Sequence, residues 1–248
     1  MIPEGYKLVF EDDFNGDTLD LTKWSYRATG PRRCGYNSPD RVRVENGNLI
    51  LSQKYCEGEF GEGWYGGMIK ANPRFCRGYF EIRCICNEHH RNGDFWSAFW
   101  LQADHPYEPE LSLGGLGGAE IDIIECTENM GGQIGVESNI HVAGMTRPHT
   151  EGDGTDHMPV VRLNVPGCCT AYHTYALEWT DEVYRFYFDG KLYCETDWGD
   201  GVSRVVEDLI VSIELPSSCV QPKDKASEFI VDYVRVYQRE SDIMAIRE

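Results

Sequence analysis

Short runs in which apolar residues alternate with polar ones recur along the whole chain and predict β-strands. These runs are rich in β-branched and aromatic residues, as strands of globular proteins are. The predicted strands are residues 49–51, 79–86, 95–101, 121–124, 175–179, 184–188, 209–213 and 229–237. No amphipathic helix of three turns and no internal repeat is recognisable in the sequence. The pattern therefore indicates an all-β protein, built as a sandwich or a barrel.

Two dipeptides that favour positive φ angles lie between pairs of predicted strands. Asn46-Gly47 follows residues 42–44, and Asp189-Gly190 follows residues 184–188. Such dipeptides are typical of the tight turns in β-hairpins. Residues 103–118 and 146–159 show little periodicity and are expected to be long loops, which in a compact domain usually carry function or disorder.

Composition and charge restrict the partners of this protein. The 248 residues include 41% hydrophobic ones and no dividing linker, so we expect a single domain over residues 1–248 with its core at about 6–238. The net charge of −18 argues against nucleic acids and anionic membranes, because both bind positive surfaces. No apolar run approaches the roughly 18 residues of a membrane span. We expect a monomer that acts on a neutral or weakly charged molecule.

Ten cysteines and the start of the chain bear on the cellular compartment. Cys84 and Cys86 alternate on one predicted strand and Cys168 and Cys169 are adjacent, but neither pair has a partner pair at zinc-site spacing. A chain of this length does not need a disulfide framework, so mostly free, buried thiols are expected. Residues 1–5 lack leader features, which fits either a removed leader or a cytoplasmic protein.

Three carboxylates lie within six residues, at Glu120, Asp122 and Glu125. On a regular strand Glu120 and Asp122 share one face and Glu125 lies on the other. One extra residue at Ile123-Ile124, a β-bulge, would return Glu125 to the first face and turn the isoleucines inward. Two glutamates on that face could reach the carboxyl separation of about 5–5.5 Å found in retaining glycosidases. Repulsion among the carboxylates would raise at least one pKa and keep one acid protonated near neutral pH.

A calcium site or a solvated strand face is the alternative explanation of this acidic spacing. Calcium ligands usually come from flexible loops with carbonyl groups and glycine turns. A strand rich in β-branched residues is a poor host for them, which favours catalysis.

The string Glu-Ile-Asp-Ile-Ile-Glu at residues 120–125 resembles the E-x-D-x-x-E signature of glycoside hydrolase family 16. That family includes laminarinases, mixed-linkage β-glucanases, agarases, porphyranases and carrageenases. Further similar segments follow in the same order and cover nearly the whole chain: residues 8–16 with Trp24, 42–49, 78–83 before 95–101, 173–179 and 231–237. The resemblance implies a jelly-roll sandwich of two stacked antiparallel sheets with a concave substrate cleft.

The resemblance also implies roles for the three carboxylates. Glu120 would be the nucleophile, Asp122 its assistant and Glu125 the acid/base of a double displacement on a β-linked polysaccharide. This chemistry needs no cofactor. Members of the family are usually secreted, so an extracellular location after leader removal is favoured, with a leaderless cytoplasmic form as the alternative.

Candidate substrate-binding residues follow from the same resemblance. Trp96 and Trp100 are expected on one strand face, one near the cleft and one in the core, because tryptophans stack on sugar rings. Tyr65 and Trp198 are candidates for further subsites. His141 is similar to a family position that approaches the acid/base.

Two departures from the family pattern bear on the substrate. Arg41 stands at about the place where many members carry asparagine; it either faces the cleft, which would favour an anionic substrate, or pairs with a local acid. Residues 116–119 replace a Trp-Pro-x-x-Gly run common in laminarinases, so one aromatic wall is missing. The leading hypothesis is an endo-β-1,3- or mixed β-1,3/1,4-glucanase. The alternatives are an endo-β-galactan hydrolase and a non-catalytic carbohydrate-binding protein.

A structural calcium site is a further implication of the resemblance. Family members often bind Ca²⁺ on the convex side of the sandwich. Asp13, the carbonyl of Gly47 and Asp232 match the places that usually supply its ligands.

Overall fold

The computed structural model describes residues 2–88, 95–128, 134–147, 158–217 and 223–244. Within these ranges the chain is mostly strand, with short helices α1 (Pro109–Ser112) and α2 (Glu240–Met244) and 3-10 turns at Pro39–Arg41 and Leu113–Gly115. The strands are β1 (Lys7–Asp12), β2 (Trp24–Tyr26), β3 (Gly30–Arg32), β4 (Gly35–Asn37), β5 (Val42–Glu45), β6 (Asn48–Gly58), β7 (Gly61–Gly66), β8 (Met68–Ala71), β9 (Gly78–Ile85), β10 (Trp96–Gln102), β11 (Glu120–Glu128), β12 (Ile134–His141), β13 (Val161–Asn164), β14 (His173–Trp179), β15 (Tyr184–Phe188), β16 (Lys191–Thr196), β17 (Asp208–Glu214) and β18 (Ala226–Gln238).

The strands form two stacked sheets. The eleven-stranded sheet has the order β16-β15-β14-β9-β18-β6-β7-β4-β3, with β1 beside β18 and β5 beside β6. The seven-stranded sheet has the order β13-β12-β11-β10-β17-β8-β2. Pairing is antiparallel except between β4 and β7. The expected jelly-roll sandwich is confirmed, and neither sheet closes into a barrel.

The main core lies between the sheets and draws side chains from both. The large sheet contributes Phe80, Leu177 and Val234, and the small sheet contributes Phe99, Ile121 and Val211, all without exposed surface. Full burial of each such side chain contributes roughly 1.5–3 kcal/mol to folding. The packing fixes which face of each strand is left for other tasks.

Both predicted hairpins are present. Asn46 and Gly47 have φ angles of 52° and 73° between β5 and β6, and Asp189 and Gly190 have 45° and 73° between β15 and β16. The pairs that flank these turns are in register, Glu45 with Asn48 and Phe188 with Lys191. Each turn therefore joins two strands that pair directly, as the positive φ angles of these dipeptides require.

The first predicted loop, residues 103–118, is not structureless. It contains α1 and the 3-10 turn at Leu113–Gly115. Oγ of Ser112, the last residue of α1, donates to the Gly118 carbonyl at 2.9 Å and so connects α1 to the end of the loop. The sequence did not indicate them because each has too few residues for a helical period. Residues 148–157 of the second predicted loop lie outside the described residues.

Among the described residues, eight cysteines have free thiols, as predicted for most of them, and Cys34 is disulfide-bonded. In the described part of the chain, every helix is too short or too polar to cross a membrane.

Candidate active site

The acidic strand β11 contains the bulge that its sequence predicts. Trp100 on β10 pairs with Asp122, whereas the preceding Phe99 pairs with Ile124, so one residue of β11 has no partner on that side. Against β12 the register also shifts between Asp122 and Glu125. A single extra residue changes the side to which all later side chains point.

The bulge turns the isoleucines to the core and the carboxylates away from it. Ile121, Ile123 and Ile124 are each 0% exposed and belong to the main core. Glu120, Asp122 and Glu125 line one cavity of about 470 Å³ on the opposite face of the seven-stranded sheet. Burial of three apolar side chains thus sets the direction of three acidic ones.

Glu125 receives a hydrogen bond from the neighbouring strand. The indole Nε1 of Trp96 donates to Oε1 of Glu125 at 2.7 Å. Burial, followed by the negative charge of Asp122, raises the pKa of Glu125 well above its ordinary value, and the Trp96 hydrogen bond opposes this shift. A carboxyl group in this environment stays protonated at pH values where an exposed glutamate is ionised.

Asp122, the middle carboxylate, is 4% exposed. Its Oδ2 lies 3.1 Å from Nε2 of His141, on the neighbouring strand β12. Burial, then the charges of Glu120 and Glu214, raises the pKa of Asp122. The structure therefore brings His141 into the acidic site, against Asp122.

Glu120 is oriented from β10. Gln102 pairs with it in register and donates from its amide Nε2 to Oε2 of Glu120. The same amide accepts from Nη2 of Arg27 through Oε1 at 2.5 Å. Because an amide must present its oxygen to a donor and its NH₂ to an acceptor, Arg27 fixes the orientation of Gln102 towards Glu120.

Arginines form a second side of the cavity, which Arg27, Arg32 and Arg33 line together with Glu214. Arg32 Nη2 and Arg33 Nε both donate to Oε2 of Glu214, at 2.8 and 3.2 Å. Glu214 is 3% exposed, so a buried carboxylate positions both arginines. Two cations share one anion here, which leaves this end of the cavity positive.

Trp96 and Trp100, one of which was expected in the core, both lie on the cavity side of β10. Trp96 is half-buried, with the Arg33 guanidinium 4.8 Å from its ring centroid. Trp100 is 5% exposed, lines the cavity and has Arg27 5.0 Å from its ring centroid. They pack with Met68 in a small apolar cluster that is separate from the main core.

The other candidate substrate residues do not line this cavity. Tyr65 is 2% exposed, and its hydroxyl accepts from the Phe60 amide and donates to the Gly61 carbonyl within the β6–β7 hairpin. Trp198 packs against the main core. Arg41 ends a 3-10 turn, and its carbonyl accepts from Ser52.

Two of the three candidate calcium ligands, Asp13 and Asp232, pair with arginines. Asp13 Oδ1 accepts from Arg235 Nη2 at 2.9 Å, and Asp232 Oδ2 pairs with Arg83 Nη1 at 2.5 Å. An ion bound by both aspartates would have to displace two guanidinium groups, so these residues do not fit the site as they stand. Calcium binding here stays a prediction, which melting temperatures with Ca²⁺ and with a chelator would test.

Sequence reasoning missed Arg27, Arg32, Arg33, Gln102, Tyr107 and Glu214, which all line the cavity. One signal could have found Gln102, since the alternation that joins Trp96 to Trp100 reaches it two residues later. Tyr107 comes from the predicted loop. Its pKa is raised mainly by burial and, to a smaller extent, by the charge of Glu120. The arginines carry no such local signal because the fold brings Arg27 from just after β2, Arg32 from β3 and Arg33 from the turn after β3.

Known proteins resemble this chain in sequence. The domain model "Beta-porphyranase A-D, GH16 domain" matches residues 8–239. A β-glucanase of Rhodothermus marinus is 27% identical over 94% of this chain and 85% of its own length. Glucan endo-1,3-β-glucosidase A1 of Niallia circulans is 25% identical over 76% of this chain, which spans 29% of that protein.

Among solved structures, one from work on human gut bacteria that express endo-acting O-glycanases to initiate mucin breakdown has a TM-score of 0.77. It is 21% identical, and the match covers 100% of this chain and 96% of the other. This similarity concerns the fold, whereas the domain model spans nearly the whole sequence, including the acidic strand. The chain belongs to glycoside hydrolase family 16 and is a glycoside hydrolase.

Proposed function

We propose that this protein is a retaining, endo-acting hydrolase of a β-1,3- or mixed β-1,3/1,4-linked glucan. The observation that carries the proposal is the bulge in β11, which places Glu120 and Glu125 on one cavity wall with Asp122 between them. A pair of carboxyl groups flanking one bond is the machinery of glycoside hydrolysis. The β-glucanase relative, matched over 94% of this chain, supports the glucan.

In the first step Glu125 donates its proton to the glycosidic oxygen while Glu120 attacks the anomeric carbon. The raised pKa of Glu125 suits this role, because the acid must be protonated when the substrate binds. The C–O bond to the leaving sugar breaks and a glycosyl ester with Glu120 forms.

In the second step a water molecule resolves the ester. Glu125, now ionised, takes a proton from the water, which attacks the anomeric carbon and releases Glu120. Net retention of configuration follows from two inversions. Trp96 assists here, because its N–H donates to the ionised form of Glu125.

Asp122 affects the charge of Glu120 by keeping its own proton. Its raised pKa favours a protonated side chain beside the nucleophile, and one ligand atom from each of Glu120, Asp122 and His141 lies within 4.8 Å of the others. A neutral Asp122 permits Glu120 to carry the negative charge without a second anion at the same place.

A second candidate substrate is an anionic β-galactan. Two observations favour it: the matching domain model is described for β-porphyranases, and Arg32 and Arg33 share a single carboxylate. Arginine is suited to planar anions such as sulfate esters because its guanidinium donates in a fixed fork. Arg27, Arg32 and Arg33, which we call the arginine wall, line the same cavity as the carboxylates.

A reducing-sugar assay over laminarin, barley β-glucan, lichenan, agarose, porphyran and mucin separates these substrates. Release of oligosaccharides from laminarin or barley glucan supports the lead proposal, and activity confined to the galactans supports the second. Glu120→Ala and Glu125→Ala should abolish turnover but leave sugar binding measurable. Glu195→Ala is the matched control, since Glu195 is an exposed carboxylate on β16 that pairs with Arg185. Wild-type rates in both cavity variants would exclude the mechanism, whereas wild-type protein that binds these polysaccharides and cleaves none of them would favour a binding protein.

We propose further that the protein acts as a monomer. The net charge of −18 makes copies repel one another at low ionic strength. Size-exclusion chromatography with light scattering tests this directly, and a mass of twice 28.3 kDa would contradict it.

A further inference from the structure

A cluster of thiols lies in the core on the side of β11 that faces away from the cavity. We call Cys86, Cys126, Cys168 and Cys169 the thiol cluster. The Sγ atoms of Cys126 and Cys168 are 3.9 Å apart, and those of Cys168 and Cys169 are 3.7 Å apart. The three sulfurs all lie within 4.8 Å of one another. Cys86 adds a fourth sulfur outside that group of three, and its thiol hydrogen-bonds to those of Cys126, Cys168 and Cys84.

These sulfurs come from three separate parts of the chain. Cys126 is on β11, Cys86 directly follows β9 of the other sheet, and the remaining two lie in the turn after β13. The backbone amide of Cys86 donates to the carbonyl of Cys168 at 2.8 Å. This hydrogen bond fixes the end of β9 against the turn after β13. Local sequence spacing does not indicate a zinc site because the ligands are assembled by the fold.

The separations match those of a metal–thiolate site. In a tetrahedral zinc site with Zn–S bonds of about 2.3 Å, the sulfurs lie about 3.8 Å apart. The two observed distances of 3.9 and 3.7 Å fall on either side of this value. A disulfide, by contrast, needs sulfurs at about 2.05 Å, and all four thiols are free.

We propose that the thiol cluster binds one thiophilic metal ion, Zn²⁺, in a closed four-sulfur site between the two sheets. Thiolates are the protein ligands that zinc prefers in structural sites. Cys86, Cys126 and Cys168 are at most 1% exposed, so no open position is left for water or substrate.

Such an ion would join the acid/base strand to the rest of the core. Cys126 directly follows Glu125 on β11, with its side chain on the opposite face. A metal bond to Cys126 therefore fixes the backbone that positions Glu125. The site acts on structure and takes no part in bond cleavage, so it does not depend on the identity of the sugar.

The test uses the whole chain, purified under reducing conditions with zinc present. We expect one zinc ion per chain by elemental analysis. After zinc removal, Co²⁺ should give the near-ultraviolet thiolate-to-cobalt absorption and the visible bands of a tetrahedral site, and Zn²⁺ should abolish both. Zinc should raise the melting temperature by roughly 5–10 °C.

Cys126→Ser and Cys169→Ser should lose most of the cobalt absorption, whereas Cys194→Ser should keep it. Cys194 is the matched control, since it is a free, half-buried cysteine on β16 outside the thiol cluster. If the reduced wild-type chain shows no thiolate-to-cobalt absorption, the proposal is wrong. This outcome does not depend on whether the two cluster variants fold. So would wild-type spectra in the two cluster variants, or purified protein in which these four cysteines form disulfides.

Discussion

The indole N–H of Trp96 donates to Glu125 at 2.7 Å, from a strand that pairs with the strand of the acid. This hydrogen bond favours the ionised carboxylate, so it opposes the burial that raises the pKa of Glu125. The two effects together set the pH at which the proposed acid loses its proton.

Trp96→Phe should move the alkaline limb of the kcat/KM profile to higher pH. The substitution removes the donor to the ionised form, so the pKa of Glu125 rises further and the acid stays protonated longer. We expect a shift of up to about one pH unit, because a hydrogen bond to a charged group is worth about 1.5–3 kcal/mol and water replaces part of it. Trp100→Phe is the control, since its Nε1 donates to Ser212 Oγ at 3.1 Å. A limb that moves down or stays in place in Trp96→Phe would contradict the assignment of Glu125 as the acid.

Gln102→Leu should lower kcat with a smaller effect on KM. Gln102 connects Arg27 to Glu120, so its loss leaves the nucleophile without the donor that orients it. Misplacement of a reacting group by about 1 Å costs on the order of 100-fold in rate. Steady-state kinetics on the best polysaccharide would measure this, with a thermal melt to show that the variant is folded. An unchanged kcat in a folded variant would exclude the positioning role.

Glu207→Gln should stabilise the protein at alkaline pH. Burial raises the pKa of Glu207 from 4.5 to about 8, and its Oε1 accepts from the Ala119 amide, directly before Glu120, at 3.1 Å. The raised folded pKa means that the stabilisation is complete below about pH 4.5 and is lost as the pH rises through about 8. Glutamine keeps an acceptor for Ala119 and cannot ionise.

Thermal melts at about pH 5 and about pH 9 test this prediction. The difference in free energy of unfolding between variant and wild type should grow by a few kcal/mol towards the higher pH. Glu62→Gln provides the comparison, because Glu62 is exposed and should leave the pH profile unchanged. A Glu207→Gln profile parallel to wild type would show that burial does not perturb this group.

Arg32→Ala should discriminate between neutral and anionic substrates. If an anionic galactan is the substrate, loss of one guanidinium that shares Glu214 should raise KM about 10-fold, as expected for one charge-assisted contact. KM for a neutral glucan should change by about twofold or less. Equal effects on both substrates would mean that the arginine wall shapes the cavity and does not select charge.

The sequence predicts the parts of this fold that follow a local rule. Alternation and turn chemistry give the longer strands and the two hairpins, and the spacing of Glu120, Asp122 and Glu125 requires the bulge that the structure contains. It does not predict three-residue strands such as β3, because three positions cannot establish a period.

Residues that meet only through the fold are the other limit. Arg32 is distant in sequence from Glu214, and its contact depends on how the β3–β4 hairpin lies over β17. The thiol cluster is a similar case, since Cys86 and Cys168 come together across 82 residues of chain. Local spacing therefore identified the carboxylates of the site but not their surroundings.

The bulge in β11 makes this enzyme sensitive to the number of residues in the strand as well as to their identity. A strand of the present length without the bulge would have plain alternation, so Glu125 would point into the core and Cys126 would face the sugar. A chain shortened by Ile124 would lose the extra residue and the bulge together, and plain alternation would then keep Glu125 on the face of Glu120 and Asp122. In evolutionary terms, the strand should tolerate a one-codon deletion at Ile124, whereas one further residue inserted there would turn Glu125 to the core face.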